Sequence, residues 1–110
     1  MRSADHDRTA LNDVLTNAER VRRRVPERRA LDDEIVRDAA LYAFAILGEA
    51  ASRVSTEVRV QHSDIPWRSI IGFRNFILHA YDLVELDRVW AAVELLPDLE
   101  AKVRAILEDA

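Results

Sequence analysis

The segment Arg74–Tyr81 carries the side chains of this sequence that are best suited to chemistry. Within eight residues it places a cation, Arg74, an amide, Asn75, an imidazole, His79, and a phenol, Tyr81. Histidine titrates near neutral pH and can move protons, and the planar guanidinium of arginine suits a phosphate group. The pair fits the cleavage of a phosphodiester without a metal, with His79 as acid or base and Arg74 holding charge on the phosphate.

Helical periodicity decides how these groups can meet. Apolar neighbours at helix-like spacing predict a largely buried helix that carries the motif to about Ala80. Asn75 and His79 share a face, but Arg74 and His79 are five residues apart and differ by about 140° around the axis. The arginine could wrap round, or two copies of the helix could face each other across a dimer axis. A structural alternative stays open, in which Asn75 and His79 hydrogen-bond to each other and Arg74 pairs with an acid.

The first helix is predicted to run to about Arg24. Apolar positions repeat at helical spacing from Leu11, and Pro26 stops the helix. Asp5 or Asp7 could cap its start, which leaves the polar residues before it outside the helix.

The second predicted helix spans about residues 34–54, with Asp32 or Asp33 as its cap. Apolar side chains occur on almost all of its faces, which is typical of a helix that is central or lies at a subunit interface. Gly48 costs a helix about 1 kcal/mol relative to Ala, and close packing against another helix would account for it. Glu49 is either a carboxylate in a cleft or a salt-bridged residue at its rim.

The rest of the chain continues the helical pattern without any strand pattern, repeat or linker. Residues 55–65 form a connection that could include one short helical turn, and Ser63 or Asp64 can cap the motif helix. A turn is expected at residues 82–85, and Pro97 must kink or restart the final helical segment. The pattern predicts an all-α, up-and-down bundle of four to five helices.

The end of the first helix is basic, with Arg20, Arg22, Arg23 and Arg24 close together. One interpretation is a patch that contacts RNA phosphates or an acidic partner. The other is a solvated surface, because cations are favourable at a helix C-terminus and these side chains point in different directions.

Composition predicts one domain, residues 1–110, with a net charge of −4 and 49% hydrophobic residues. There are no cysteines, and His6, His62 and His79 are too far apart in the sequence to suggest a zinc site. Two glycines cannot build a phosphate or dinucleotide loop, so no metal and no cofactor are expected. No apolar stretch is long enough for a membrane span or a signal peptide, and a cytoplasmic location is expected.

The motif itself resembles a known family. Arginine, four residues, histidine, one residue and tyrosine resemble the signature of the HepT-like toxins, within the HEPN superfamily of small helical RNA-acting domains. Further segments resemble the family in the same order and extend the similarity over roughly residues 8–108: Gly48-Glu49-Ala50, Asp64-Ile65-Pro66-Trp67, Gly72-Phe73-Arg74-Asn75, Val89-Trp90 and Leu95-Leu96-Pro97. Two departures occur: Ala80 stands where glycine is usual, and residues 40–45 are more apolar than in the family.

The resemblance implies a HEPN-like homodimer that acts as the ribonuclease toxin of a type VII toxin–antitoxin system. Both copies of Arg74 and His79 would line the dimer cleft, supported by Asn75, and cut RNA without a metal. The implied partner is a nucleotidyltransferase antitoxin of the MntA type, which transfers AMP to the motif tyrosine, here Tyr81. The pattern of the residues after Tyr81 predicts that Leu83 and Val84 are buried, with the phenol near the cleft mouth.

Two other functions remain compatible with the sequence. The motif helix could build a dimer or dock a transferase without catalysis, as an interaction module. Alternatively, the chain could be a nucleotide- or nucleic-acid-binding accessory subunit that uses residues 20–29.

Overall fold

The computed structural model describes residues 3–109, which fold almost entirely as helices. The α-helices are, in order, α1 (Ser3–Arg24), α2 (Glu34–Arg53), α3 (Thr56–Gln61), α4 (Trp67–Ala80), α5 (Leu86–Glu94) and α6 (Leu96–Asp109). Two short 3-10 helices lie at Arg28–Asp32 and Tyr81–Leu83, and residues 3–109 contain no strand. The predicted all-α bundle is confirmed. The six-residue α3 is longer than the single turn expected in this connection, and the final segment restarts at Leu96, one residue before Pro97.

The long helices pack antiparallel to their neighbours. Arg53 near the end of α2 pairs with Asp13 in the first half of α1, at 3.2 Å. Arg8 of α1 donates to the carbonyl of Leu107 near the end of α6, while Arg22 reaches Glu100 near the start of α6. Helix α2 also packs along α4, so it lies between α1 and the motif helix.

The core is built from apolar stripes at helical spacing. In α1 the stripe found in the sequence is buried, and the same spacing recurs on the inner sides of α2, α5 and α6. Fully buried side chains join all of these elements and the connections between them: Val14, Val21, Val25, Leu31, Leu47, Val54, Ile65, Val89 and Val103. Burying such a side chain stabilises the fold by about 1.5–3 kcal/mol. Within residues 3–109, no helix combines the length and the apolar character needed to cross a bilayer.

Helix starts are partly as predicted. Asp33 caps α2 by accepting hydrogen bonds from the backbone of Ile35 at 2.8 Å and Val36 at 3.3 Å. The predicted cap of α1 by Asp5 or Asp7 is wrong, because the helix already includes both residues. Asp7 is buried and serves the next connection instead.

That connection is held by a short chain of hydrogen bonds. The backbone N–H and the hydroxyl of Ser55 both donate to the Asp7 carboxylate, at 2.7 and 2.8 Å. The Ser55 hydroxyl oxygen in turn accepts from the backbone of Val58 and caps α3. Asp7 therefore fixes the point at which the chain leaves α2 and turns toward the motif helix.

The start of α4 also differs from the prediction. Pro66 occupies the cap position, and neither Ser63 nor Asp64 caps the helix through its side chain. The fixed φ of proline suits a helix start, and the Trp67 indole N–H donates to the carbonyl of His62 at 3.0 Å. The buried indole therefore anchors the beginning of α4.

Candidate active site

Arg74 is held in place by α2. Its guanidinium Nη1 pairs with Glu49, and its Nε donates to the Asn75 side-chain oxygen at 2.8 Å. The arginine side chain is 16% exposed. The neighbouring Gly48 has no side chain to separate the helices, and a β-carbon there would lie 2.3 Å from the Arg74 Cβ. The predicted close packing at Gly48 is present, and it is packing against the motif arginine.

Asn75 and His79 point away from the core. Both are exposed on α4, where only Trp67 and Ile77 are buried, so the prediction of a largely buried motif helix is wrong. Asn75 hydrogen-bonds to Arg74 rather than to His79. The amide thus helps to orient the guanidinium, and the imidazole is left at the surface.

Tyr81 begins the 3-10 helix that follows α4. The backbone of Ala80 departs from helical geometry at φ −143°, ψ 42°, which ends the α-helix one residue before the tyrosine. The Tyr81 side chain is exposed to 42%, and its hydroxyl donates to Asp38 of α2 at 2.5 Å. The expectation that Leu83 is buried is wrong, because this leucine is exposed, whereas Val84 is partly buried against the core.

A crevice of about 450 Å³ opens beside the Tyr81 hydroxyl, between the start of α2, the 3-10 helix and the start of α5. Its lining carries four acids and one cation: Glu34, Asp38, Asp82, Glu85 and Arg37. Partial desolvation, the hydrogen bond to Asp38 and the charge of that carboxylate raise the pKa of Tyr81 to about 12, against the opposing charge of Arg37. The phenol is therefore neutral at neutral pH.

One surface joins these groups. Asp38 contacts Tyr81 and Glu49 contacts Arg74, so α2 and α4 run side by side in opposite directions between the two contacts. Tyr42, 65% exposed, shares the stripe of Glu49, and Leu78, 61% exposed, shares the stripe of Arg74 and Tyr81. We call the surface formed by Ile35, Tyr42, Asn75, Leu78 and His79 the motif face. It combines exposed apolar side chains with the polar groups of the motif.

The arginines at the end of α1 lie outside the crevice beside Tyr81, and they differ in their contacts. Arg22 donates to both oxygens of the buried Glu100, at 3.0 and 3.1 Å, and Arg20 donates to the Asn17 side chain at 3.4 Å. Arg23 and Arg24 are exposed. Arg22 and Arg23 line a separate cavity of about 700 Å³ between α1, α5 and α6, and none of the four arginines lines the crevice beside Tyr81. Arg22 thus has a structural partner, and the four arginines lie outside the lining of the crevice beside Tyr81.

Two acids of α2 contact side chains of the motif segment, and the sequence identified only one of them. Of the two interpretations of Glu49, the structure agrees with a salt-bridged residue at the rim, because Glu49 pairs with Arg74 and lies 4.0 Å from Arg53. Asp38 was missed because it is 43 residues from Tyr81 and lies among other acids. The close packing predicted at Gly48 was the available signal, since an antiparallel partner helix places the start of α2 beside the end of the motif. Among residues 3–109, no three His, Asp or Glu side chains are grouped as metal ligands.

Comparison with known proteins assigns the family. The model of the HepT-like family, described as ribonuclease HepT-like, matches residues 11–106. The chain is 32% identical over 77 residues to "Putative RNase TTE0752" of Caldanaerobacter subterraneus subsp. tengcongensis, with 69% of each chain covered. It is 33% identical over 73 residues to "Probable ribonuclease HepT" of Thermococcus cleftensis, with 66% of each covered. No solved structure matches the chain significantly. The chain belongs to the HepT-like ribonuclease family.

Proposed function

We propose that this chain is the endoribonuclease toxin of a type VII toxin–antitoxin pair and that it cuts RNA without a metal in a cleft between two copies. The observation that carries the proposal is the placement of Arg74 and His79. A guanidinium held by Glu49 and Asn75 and an exposed imidazole lie on one helix, in a chain of a ribonuclease family. These are the two groups that a metal-free phosphodiester cleavage needs.

The reaction that suits these groups uses the ribose 2′-hydroxyl of RNA as the nucleophile. A His79 imidazole takes the 2′-hydroxyl proton while the 2′-oxygen attacks phosphorus. The 5′-oxygen leaves and receives a proton from an imidazolium, and Arg74 stabilises the charge that develops on the phosphate oxygens. The products are a 2′,3′-cyclic phosphate and a 5′-hydroxyl, and DNA, which lacks the 2′-hydroxyl, is not a substrate.

A second copy of the chain completes the proposed cleft. Arg74 and His79 are five residues apart and diverge around α4, so a single helix does not direct both at one phosphate. The motif face around them exposes Tyr42 and Leu78, and a β-carbon added at Gly72 on α4 would have open space around it within 4 Å. Pairing two motif faces about a two-fold axis buries these apolar groups and brings two His79 side chains together, one as base and one as acid.

Regulation of this nuclease is proposed at Tyr81. Its hydroxyl lies at the end of the motif helix, beside an open crevice, where a nucleotidyltransferase antitoxin could transfer AMP to it. The modification adds bulk and a negative phosphate two turns from Arg74, which repels the phosphate of an approaching RNA. Tyr81→Phe is expected to stay folded, remain unmodified and escape neutralisation by the antitoxin.

One observation favours a second candidate function. Arg74 is paired with Glu49, as the structural alternative for the motif requires. On this alternative the chain is a non-catalytic module that pairs with a nucleotidyltransferase, and Arg74 and His79 have no chemical task.

RNA cleavage by the purified protein separates the two candidates. Wild-type protein is incubated with a 5′-labelled RNA in EDTA, and the fragment ends are identified by mass spectrometry. The nuclease yields cyclic phosphate ends, and His79→Ala reduces the rate by roughly 10²-fold or more with its fold intact. Equal fragmentation by wild type and His79→Ala overturns the catalytic assignment.

A further inference from the structure

We propose that Asp38 is the base that activates Tyr81 when the tyrosine accepts AMP. The inference rests on the modification of Tyr81 proposed above. It adds a residue of this chain, on a different helix from the motif, to the transfer reaction. The toxin would then supply the base for its own neutralisation, rather than presenting a passive hydroxyl to the antitoxin.

Geometry identifies Asp38. The Tyr81 hydroxyl donates directly to the Asp38 Oδ1 at 2.5 Å, and a general base must contact the proton that it takes in this way. The two groups come from separate elements, the start of α2 and the 3-10 helix after α4, so the bond depends on the packing of α2 against α4. Glu34, Asp82 and Glu85 also line the crevice, but the hydroxyl hydrogen bond goes to Asp38.

Charge in the crevice explains why a base is needed. Four acids and Arg37 face the space around the hydroxyl, and the pKa of Tyr81 is raised to about 12. A phenolate beside these carboxylates is unfavourable, so the tyrosine is neutral at neutral pH, and a neutral phenol is a weak nucleophile. Passing the proton directly to Asp38 removes it without adding a negative charge to the crevice. The hydrogen bond from Tyr81 to Asp38 raises the pKa of the tyrosine. The same hydrogen bond provides the path along which the proton leaves during the transfer of AMP.

The transfer step balances with ATP, bound by the nucleotidyltransferase, as the second reactant. The Tyr81 oxygen forms a bond to the α-phosphorus of ATP, and its proton moves to the Asp38 carboxylate. The bond from the α-phosphorus to the bridging oxygen breaks, and pyrophosphate leaves with the electron pair. Asp38 then releases the proton to water, and the AMP occupies the crevice or the solvent beside it.

A chemical probe tests Asp38 without any antitoxin. In a Tyr42→Phe background, Tyr81 is the only tyrosine, since the chain has two. N-Acetylimidazole acetylates a tyrosine hydroxyl by the same kind of attack, and mass spectrometry follows the rate at pH 7.5. If Asp38 is the base, Asp38→Asn slows acetylation by about 10-fold or more, and Asp38→Glu restores part of the rate.

The opposite result is equally clear. If Asp38 only holds the tyrosine ring, Asp38→Asn removes a negative charge beside the phenol, lowers its pKa and makes acetylation faster. An unchanged or faster rate therefore overturns the proposal. Asn keeps an oxygen that can accept the hydrogen bond, so the comparison isolates the loss of basicity from the loss of the contact.

Transfer of AMP itself distinguishes a failure of this inference from a failure of the proposed regulation. The purified chain is incubated with ATP and its proposed nucleotidyltransferase antitoxin, and AMP on Tyr81 is quantified over time by mass spectrometry. The inference requires AMP on the wild type and a loss of about 10²-fold in transfer rate for Asp38→Asn, with RNA cleavage unchanged. Full modification of Asp38→Asn overturns the role of Asp38 alone, and no AMP on the wild type overturns the regulation.

Discussion

Gly48 of α2 lies so close to Arg74 of α4 that a β-carbon on the glycine would come within 2.3 Å of the arginine Cβ. The next residue of α2, Glu49, pairs with the guanidinium of the same arginine. Helix α2 therefore sets both where the Arg74 backbone lies and where its charge points. The position of the motif cation is a property of helix packing as much as of the motif.

Gly48→Ala should destabilise the fold by about 1–3 kcal/mol, because the added methyl group forces α2 and α4 apart. Urea unfolding measures the change. Gly72→Ala is the matched control: it is also a helical glycine, but its added β-carbon meets nothing within 4 Å. Gain of helix propensity should stabilise that variant by about 0.5–1 kcal/mol. Equal effects at the two glycines would argue against the close approach at Gly48.

Arg22→Ala should destabilise the protein by about 1–3 kcal/mol, because the Glu100 side chain is only 2% exposed and loses the Arg22 Nη1 that donates to both of its oxygens. Arg104 remains 3.7 Å from Glu100 and limits the loss. The control is Arg23→Ala, an exposed neighbour in the same basic run, which should stay within about 0.5 kcal/mol of wild type. Thermal or urea unfolding of the two variants separates a structural arginine from surface charge; a neutral Arg22→Ala would contradict the structural role.

The Tyr81 hydroxyl should titrate near pH 12 rather than near its usual 10.0. Because the folded pKa lies above the unfolded one, the stability from this group is fully present below pH 10 and is lost as the pH rises from 10 to 12. Absorbance at 295 nm in a Tyr42→Phe background measures the midpoint. Asp38→Asn removes the facing charge and should move the midpoint toward 10, whereas a midpoint that does not change with Asp38 would show that the contact is absent in solution.

Leu78→Glu should dissociate the proposed homodimer at micromolar concentration and abolish RNA cleavage while the monomer stays folded. The leucine is 61% exposed in one chain, so a charge there costs the monomer little but is buried in a dimer of motif faces. Sedimentation and circular dichroism follow assembly and fold. Val60→Glu, an exposed apolar position on α3, is the matched control and should remain dimeric. Loss of the dimer in the control and not in Leu78→Glu would place the interface elsewhere.

The elements were predictable because their signals are local. Apolar stripes, Pro97 and the Asp33 cap are each read within a few residues, and all three agree with the structure. The side-chain partners were harder to predict from the sequence, because several acids could pair with Arg74 or Tyr81. Only the register between α2 and α4 selects Glu49 for the arginine and Asp38 for the tyrosine.

Burial was predicted less well than helicity, for a physical reason. The apolar side chains of α2 and α4 indicate surfaces that prefer contact with protein, but the sequence does not say whether that protein is the same chain. In the single chain, Tyr42, Leu78 and Leu83 are exposed. An interior position and a position in a dimer interface have the same hydrophobic pattern.

Cleavage of RNA by the purified chain in EDTA, compared with its His79→Ala variant, tests the central claim most directly. Wild type should convert a labelled RNA to fragments with 2′,3′-cyclic phosphate ends, and His79→Ala should be slower by roughly 10²-fold or more at the same oligomeric state. Matched rates for the two proteins, or a wild-type dimer that leaves RNA intact, would contradict the account.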